Sequence, residues 1–327
     1  MKEDFMNQKT EIPVVFAADR NYLAPCYLAL FSAVCHQKEN TSYLFYLLLP
    51  DSIQKEELSC FESLKEKQQR IEIRYCFISE KDLQVNLSRE EAVDHISSTT
   101  YYRFLIPELL AEHEKCIYID VDTVIQKDLR ELYETDLEDC YLAGVKNVFA
   151  DTRPGSSRYE KRCQELDVAS LETYVNAGVL LLNLKKLRED QIQKQWLKQA
   201  AEKSYLYNDQ DIINSVCYGK IRLLDYKYNV FPDYCQDAEE TSRFLQADYR
   251  EAAKAPVIIH YVSKEKPWIS RNFFMAEFWW NYGKKTDREF RKTLFNPFLK
   301  VSRRKLSRVQ HLKLWIKQRT PVKMLMR

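Results

Sequence analysis

Three apolar runs dominate the first quarter of this chain: Ile12–Ala18, Tyr43–Leu49 and Ile71–Ile78. The stretches between them, about Leu23–Cys35 and Ile53–Gln69, have the length and apolar content of helices that pack on a sheet. Strand, helix, strand, helix, strand at this spacing leaves few options, because strands covered on both faces by crossover helices pair in parallel. The expectation is an α/β fold whose ligands sit beyond the carboxyl ends of the strands. The opening looks like a nucleotide-binding half-sheet, yet it contains neither G-x-G-x-x-G nor G-x-x-x-x-G-K, and five glycines in 327 residues supply no glycine-rich phosphate cradle. A bound nucleotide would have its phosphates neutralised by metal and by basic side chains.

Further along, Cys116–Ile125 reads C-I-Y-I-D-V-D-T-V-I. Apolar residues run straight into Asp120 and Asp122, the pattern of a buried strand with charge at its end, and strand alternation places both carboxylates on one side. Like charges that close repel unless a cation lies beside them, so the pair is a candidate metal site. The alternative is that two aspartates simply begin a turn.

Thr99–Ala111 reads as a helix capped by Ser98 or Thr99 and broken near Pro107, with Arg103 placed to reach a phosphate or the aspartates. A short helix at Asp128–Tyr133, a strand at Tyr141–Val145 and a loop at Asn147–Ser157 follow. Tyr174–Leu184 is another buried strand, entered through Asn176-Ala177-Gly178, where glycine marks close approach of the backbone to a ligand or a neighbouring strand. After a helix at about Lys185–Lys203, Asn208-Asp209-Gln210-Asp211 precedes an apolar run; one helix cap needs one such residue, and four exceed the need. Pro256–Val262 is the last strand, with His260 near its end as a third member of an oxygen-rich site and Lys266 beyond it as a second cation for phosphate. The aromatic helix Phe273–Phe290 reads as core packing and not as a base-stacking platform, so no nucleic-acid partner is expected.

Charge and cysteine usage bear on partners and compartment. The formal net charge of +2 hides an acidic body and a basic tail, since residues 301–327 carry Lys and Arg but no Asp or Glu. That tail spaces Leu306, Val309, Leu312, Trp315 and Ile316 in near-helical fashion, the pattern of a helix lying on an anionic membrane surface. Nine cysteines scattered singly, with no C-x-x-C, suggest a reducing compartment, hence the cytoplasm or the inner face of its membrane. Met1–Glu11 lacks an apolar signal core, and no stretch approaches a membrane span.

Six motifs in register carry a resemblance: F-A-A-D-x-N-Y at Phe16–Tyr22, T-T-Y-x-R at Thr99–Arg103, D-V-D at Asp120–Asp122, N-A-G-V at Asn176–Val179, D-Q-D at Asp209–Asp211 and H-Y-x-x-x-x-K-P-W at His260–Trp268. Together they resemble family 8 glycosyltransferases, and most of all the bacterial lipopolysaccharide α-galactosyl- and α-glucosyltransferases. The resemblance implies a nucleotide-diphospho-sugar transferase (glycosyltransferase A-type) fold, a single Rossmann-like domain with a mixed central sheet. The resemblance covers about Ile12 to Tyr282, and the expected division is a transferase domain over residues 1–285 followed by the basic amphipathic tail over 286–327. It also implies a UDP-hexose donor, retention of anomeric configuration and Mn²⁺, with Mg²⁺ as the other candidate ion.

By matching position, the resemblance assigns Ala17, Asp19, Asn21 and Tyr22 to the uridine end. It makes Asp120, Asp122 and His260 the metal ligands, with Val121 between the two aspartates. Arg103, Ser263 and Lys266 face the donor, and Asn176, Ala177, Asp209 and Gln210 surround the transferred sugar. Asp209 and Gln210 are the expected catalytic pair. An amide is a poor nucleophile, so the expectation is front-side attack with Asp209 stabilising positive charge on the sugar. His95, Asn147, Phe149 and Tyr207 are the acceptor-side candidates, the acceptor being a saccharide or a lipid-linked one. Two departures from the family pattern stand out: Val262-Ser263-Lys264-Glu265 where a glycine is usual, and Asn147 where related galactosyltransferases have an acid. Two alternative functions are a haloacid-dehalogenase-like phosphatase using Asp120 and Asp122 and a transferase acting on protein.

Overall fold

The computed structural model describes residues 9–83, 98–148, 154–232, 247–271 and 274–304. The three opening runs form β1 (Thr10–Ala17), β2 (Thr41–Pro50) and β3 (Ile71–Ile78). They are followed by β4 (Lys115–Ile119), β5 (Thr123–Ile125), β6 (Leu142–Lys146), β7 (Val175–Asn183), β8 (Ile221–Leu224) and β9 (Ile258–His260). Seven strands make one mixed sheet in the order β3-β2-β1-β4-β7-β6-β8. β1 to β4 pair in parallel, and β7 runs antiparallel to both β4 and β6. Alternate side chains of the buried strands feed two cores: Val14, Phe16 and Phe45 lie on one face, Val15, Leu44 and Tyr46 on the other.

The acidic stretch departs from the strand expectation. β4 stops at Ile119, and the chain turns through Asp120-Val121-Asp122 before β5 begins at Thr123, with Thr123 Oγ1 donating to the Asp120 carbonyl at 2.8 Å. β5 then leaves the main sheet and forms a two-stranded ribbon with β9. The aspartates therefore occupy a turn and still converge, because this ribbon and not strand alternation sets their directions. Helical segments also differ from the sequence reading. Ser98–Leu105 is a 3₁₀ segment that passes into one α turn, Ile106–Leu109, where proline is tolerated near the start. Leu184–Glu189 and Ile192–Glu202 are separate helices, divided where Gln191 takes a positive φ of 52°. Ser157–Leu166, which begins at the last residue of the expected loop and carries no sequence expectation beyond it, is a helix capped by Ser156 Oγ accepting from Tyr159 N.

Past the Ala276–Lys285 helix, Phe290, Phe295 and Leu299 enter the same core as β1, and Phe298 meets Trp268 edge-on at 5.5 Å. Among the described residues no helix is long and apolar enough to cross a membrane. The basic segment 305–327 lies outside the described residues, as do His95 and Phe149.

Candidate metal and donor site

Two pairings bring distant segments together. Along β4 and β7 the Asp120 amide donates to Gly178 O at 2.8 Å, which sets Asn176-Ala177-Gly178 beside the first aspartate. Across β5 and β9, Thr123 faces His260, and Tyr261 N donates to Asp122 O at 2.9 Å. His260 Nε2 consequently lies 3.1 Å from Asp122 Oδ1 and 3.7 Å from Asp120 Oδ2. One ligand atom from each of Asp120, Asp122 and His260 falls within 4.8 Å of the other two. Gly178 makes room for this: a Cβ there would meet His260 Cε1 at 2.1 Å and Asp120 Oδ2 at 2.7 Å. Two carboxylates and an imidazole suit Mn²⁺ or a similar first-row ion better than Ca²⁺, which takes more oxygens, so the residues fit a divalent cation. Lys266 Nζ lies on the far side, donating to Asp122 Oδ2 at 2.6 Å and to the Tyr261 carbonyl. Burial of Asp122 pushes its carboxyl up, but the Lys266 ammonium, the largest opposing influence, holds it below the usual carboxylate range.

Arg103 is the second organiser. Only 5% exposed, it donates to Asp120 Oδ1 at 2.9 Å, to Ala177 O at 2.6 Å and to Thr100 O at 2.9 Å, and its Nη1 lies 3.1 Å from Asp209 Oδ2. Its guanidinium also lies over the Tyr118 ring at 4.4 Å, while the Tyr118 hydroxyl donates to Asp120 at 2.7 Å. Asp209 and Gln210 begin the Asn208–Val216 helix, which is tied to β7 by Asn214: its Oδ1 accepts from Val175 N at 2.7 Å and its Nδ2 donates to Val175 O at 2.8 Å. The N-cap residue of this helix is Tyr207, whose side chain makes no cap hydrogen bond, and the polar run that follows directs most of its groups elsewhere. Asp211 instead accepts from Arg162 and Tyr174, both at 2.5 Å, and Gln210 Oε1 accepts from Asn176 Nδ2 at 2.9 Å and from Ala177 N at 3.2 Å.

Asp209 is buried among these groups, and its pKa is raised from 3.8 to about 6, by burial first and by Asp120, against the opposing pull of Arg103. The folded state thus favours the neutral acid. Its contribution to stability is full below 3.8 and is lost as pH rises through about 6. In the metal-free protein, the stability of wild type relative to Asp209→Asn is expected to fall across that window, read by urea unfolding at several pH values. A flat difference would reject burial as the controlling influence on Asp209.

The remaining sequence candidates spread around this centre. Ala17 ends β1, and Asp19 Oδ1 accepts from Asn21 N at 2.7 Å and Tyr22 N at 3.2 Å, shaping the short turn after that strand. Tyr22 meets Trp268 edge-on at 6.1 Å; burial and then Asp122 and Asp19 push its hydroxyl up to about 12. Val121 turns into the core, and Ser263 hydrogen-bonds locally to Glu265. Asn147 is buried, its amide donating to Tyr174 O at 2.9 Å. Exposed Tyr207 lies 5.5 Å from the Arg162 guanidinium and gives its amide to Asp211 Oδ2 at 2.9 Å. Sequence reasoning missed Thr100, Tyr118, Arg162, Tyr174 and Asn229. For Asn229 the only local signal is one amide within Tyr228-Asn229-Val230-Phe231.

Compared with known proteins, the chain matches the family profile described as Glycosyl transferase family 8 over residues 13–272. A relative in Haemophilus influenzae is 29% identical over 261 residues, 78% of this chain and 72% of its own length. Glycosyltransferase GlyE of Streptococcus pneumoniae is 28% identical over 283 residues, 84% of this chain, but this chain spans only 61% of GlyE. Among solved structures, the galactosyltransferase LgtC in complex with donor and acceptor sugar analogues has a TM-score of 0.69 at 27% identity, covering 86% of this chain and 100% of that one. The bifunctional glycosyltransferase WbbM has a TM-score of 0.72 at 24% identity, covering 84% of this chain and 49% of that one, a likeness of fold.

Proposed function

Because this chain belongs to glycosyl transferase family 8, we propose that it moves a hexose, glucose or galactose, from a UDP-sugar to a saccharide acceptor with retention of configuration. The observation that carries this reading is the convergence of Asp120, Asp122 and His260 within 4.8 Å, beside a buried Arg103, Asp209 and Gln210. A divalent cation held by those three ligands, Mn²⁺ by their donor chemistry, would supply Lewis-acid neutralisation of the departing diphosphate. Lys266 adds a fixed positive charge there, which it now gives to Asp122. Ala17, Asp19, Asn21 and Tyr22 receive the uridine, and Asn176 and Ala177 border the sugar. Above its raised pKa of about 6 Asp209 is a carboxylate facing Arg103 at 3.1 Å, and in that form it stabilises positive charge developing on the sugar carbon. Gln210, clamped through its carbonyl oxygen, orients the ring. LgtC has been crystallised as an active-site variant with a glutamine changed to glutamate, so an active-site glutamine is present in that related structure.

The acceptor lies on the Asn147 and Tyr207 side. A cell-surface glycan such as lipopolysaccharide, built at the cytoplasmic face, suits a basic tail drawn to anionic lipid. A transferase acting on protein is the second reading within the same fold, whereas the phosphatase reading has no support. The deciding experiment is calorimetric titration of UDP, UDP-glucose and UDP-galactose with and without Mn²⁺. Binding that requires the metal, with one hexose preferred, is expected. Absence of UDP binding in both conditions would remove the proposal.

A further inference from the structure

The hydrogen bonds behind the three ligands have a direction that two backbone amides dictate. Gly178 N–H donates to Asn176 Oδ1 at 3.0 Å, and Ala177 N–H donates to Gln210 Oε1 at 3.2 Å. A backbone N–H only donates, so both oxygens are fixed as acceptors and both amides are fixed in orientation. Asn229, wholly buried, approaches Asn176 Oδ1 at 2.8 Å and must do so through its Nδ2 donor. Its Oδ1 is then the atom 2.9 Å from His260 Nδ1. An amide oxygen cannot donate, so Nδ1 carries the hydrogen, and in the neutral form of the ring the Nε2 lone pair is turned toward Asp122 and Asp120. Three acceptors facing one half-buried point repel one another until a cation joins them. The opposite tautomer would place Nε2–H on Asp122 and fill the same point with a proton.

We propose that Asn229 is a positioning residue that fixes His260 as the Nδ1–H tautomer, leaving Nε2 bare for a divalent cation, and links that ring through Asn176 to Gln210. The inference rests on the reading of Asp120, Asp122 and His260 as a metal site. Asn229 touches neither the cation position nor, by this geometry, the sugar. Its influence passes through His260 on one side and Asn176 on the other. This is the arrangement by which an outer hydrogen-bond partner sets the tautomer and basicity of a ligating imidazole.

The test uses the full chain labelled with ¹⁵N at histidine, metal-free, at a pH where the ring is neutral. Long-range proton–nitrogen NMR then reports which ring nitrogen is protonated, and His260→Gln assigns the signal among the five histidines. Wild type is expected to show Nδ1–H. In Asn229→Leu, which removes the acceptor at similar volume, the proton is expected on Nε2, and Mn²⁺ affinity read by electron paramagnetic resonance should fall about 10- to 100-fold. Asn229→Asp keeps an acceptor for Nδ1–H, although its second oxygen then faces Asn176 Oδ1 where Nδ2 had donated, and serves if the leucine variant does not fold; it should retain the Nδ1 proton. Wild type protonated on Nε2, an unchanged tautomer in Asn229→Leu, or loss of the Nδ1 proton in Asn229→Asp overturns the proposal. A tautomer switch with unchanged Mn²⁺ affinity overturns its link to the metal. If wild type binds no Mn²⁺ while the tautomer switches as expected, the metal reading falls and the positioning role stands.

Discussion

Gly178→Ala is expected to cost the protein its divalent-cation affinity by more than about 100-fold while leaving a folded chain, because the added methyl displaces a ligand directly, beyond the 10- to 100-fold typical of outer partners. The backbone at Gly178 is not in the left-handed region, so the requirement is for space alone. The new Cβ would stand 2.1 Å from the His260 ring and 2.7 Å from Asp120 Oδ2. Neither neighbour can retreat easily: Asn229 holds His260 Nδ1 at 2.9 Å and Phe231 packs against that ring at 5.7 Å, while Arg103 and Tyr118 both bind Asp120. Overpacking of this kind costs about 1–3 kcal/mol of stability, which a domain this size tolerates. Mn²⁺ titration followed by electron paramagnetic resonance, paired with thermal melting, checks both halves. Wild-type affinity in a folded Gly178→Ala protein would show that the three ligands do not hold the metal in the arrangement described.

Arg103→Met is expected to destabilise the protein by about 3–5 kcal/mol, the usual cost of removing one partner from a buried charge cluster. Arg103 compensates two carboxylates at once, Asp120 and Asp209, and its remaining donors satisfy two backbone carbonyls. Lysine at this position keeps the charge but not the planar fork of donors, so Arg103→Lys should recover only part of the loss. Asp209 would be left buried opposite Asp120 with no counter-charge. The double variant Arg103→Met/Asp209→Asn should therefore be more stable than Arg103→Met alone. Urea unfolding of the three variants measures this directly, and equal stability of Arg103→Met and wild type would mean that Arg103 is not what neutralises the pair.

The opening strands were legible because burial on both faces writes itself as continuous apolar runs, as in Tyr43–Leu49. Breaks inside helices were less so. The division at Gln191 depends on one backbone angle, and no residue there announces it. At the site, residue types were readable while partners were not. Asp120 and Asp122 stood out as charge at the end of an apolar run, yet the run splits between two sheets. Asn208 to Asp211 looked excessive for a cap, and in the structure Asp209, Gln210 and Asp211 each take a different partner. Asn229 was silent because one amide in an apolar stretch has no period and no spacing to reveal it.

By itself the sequence determined the α/β class, the positions of most strands along the chain, though β8 went unread and β4 and β5 read as one, and which acids, imidazole and cations would be available for a metal-bound, anionic ligand. Those follow from local composition and periodicity, which the chain carries wherever it goes. Only the tertiary structure decided that β7 would run antiparallel beside β4, that β5 would leave the sheet to pair with β9, and that a glycine would open the space where Asp120, Asp122 and His260 meet. Those are relations between segments far apart in the chain, fixed by packing and by the direction in which buried donors and acceptors pair.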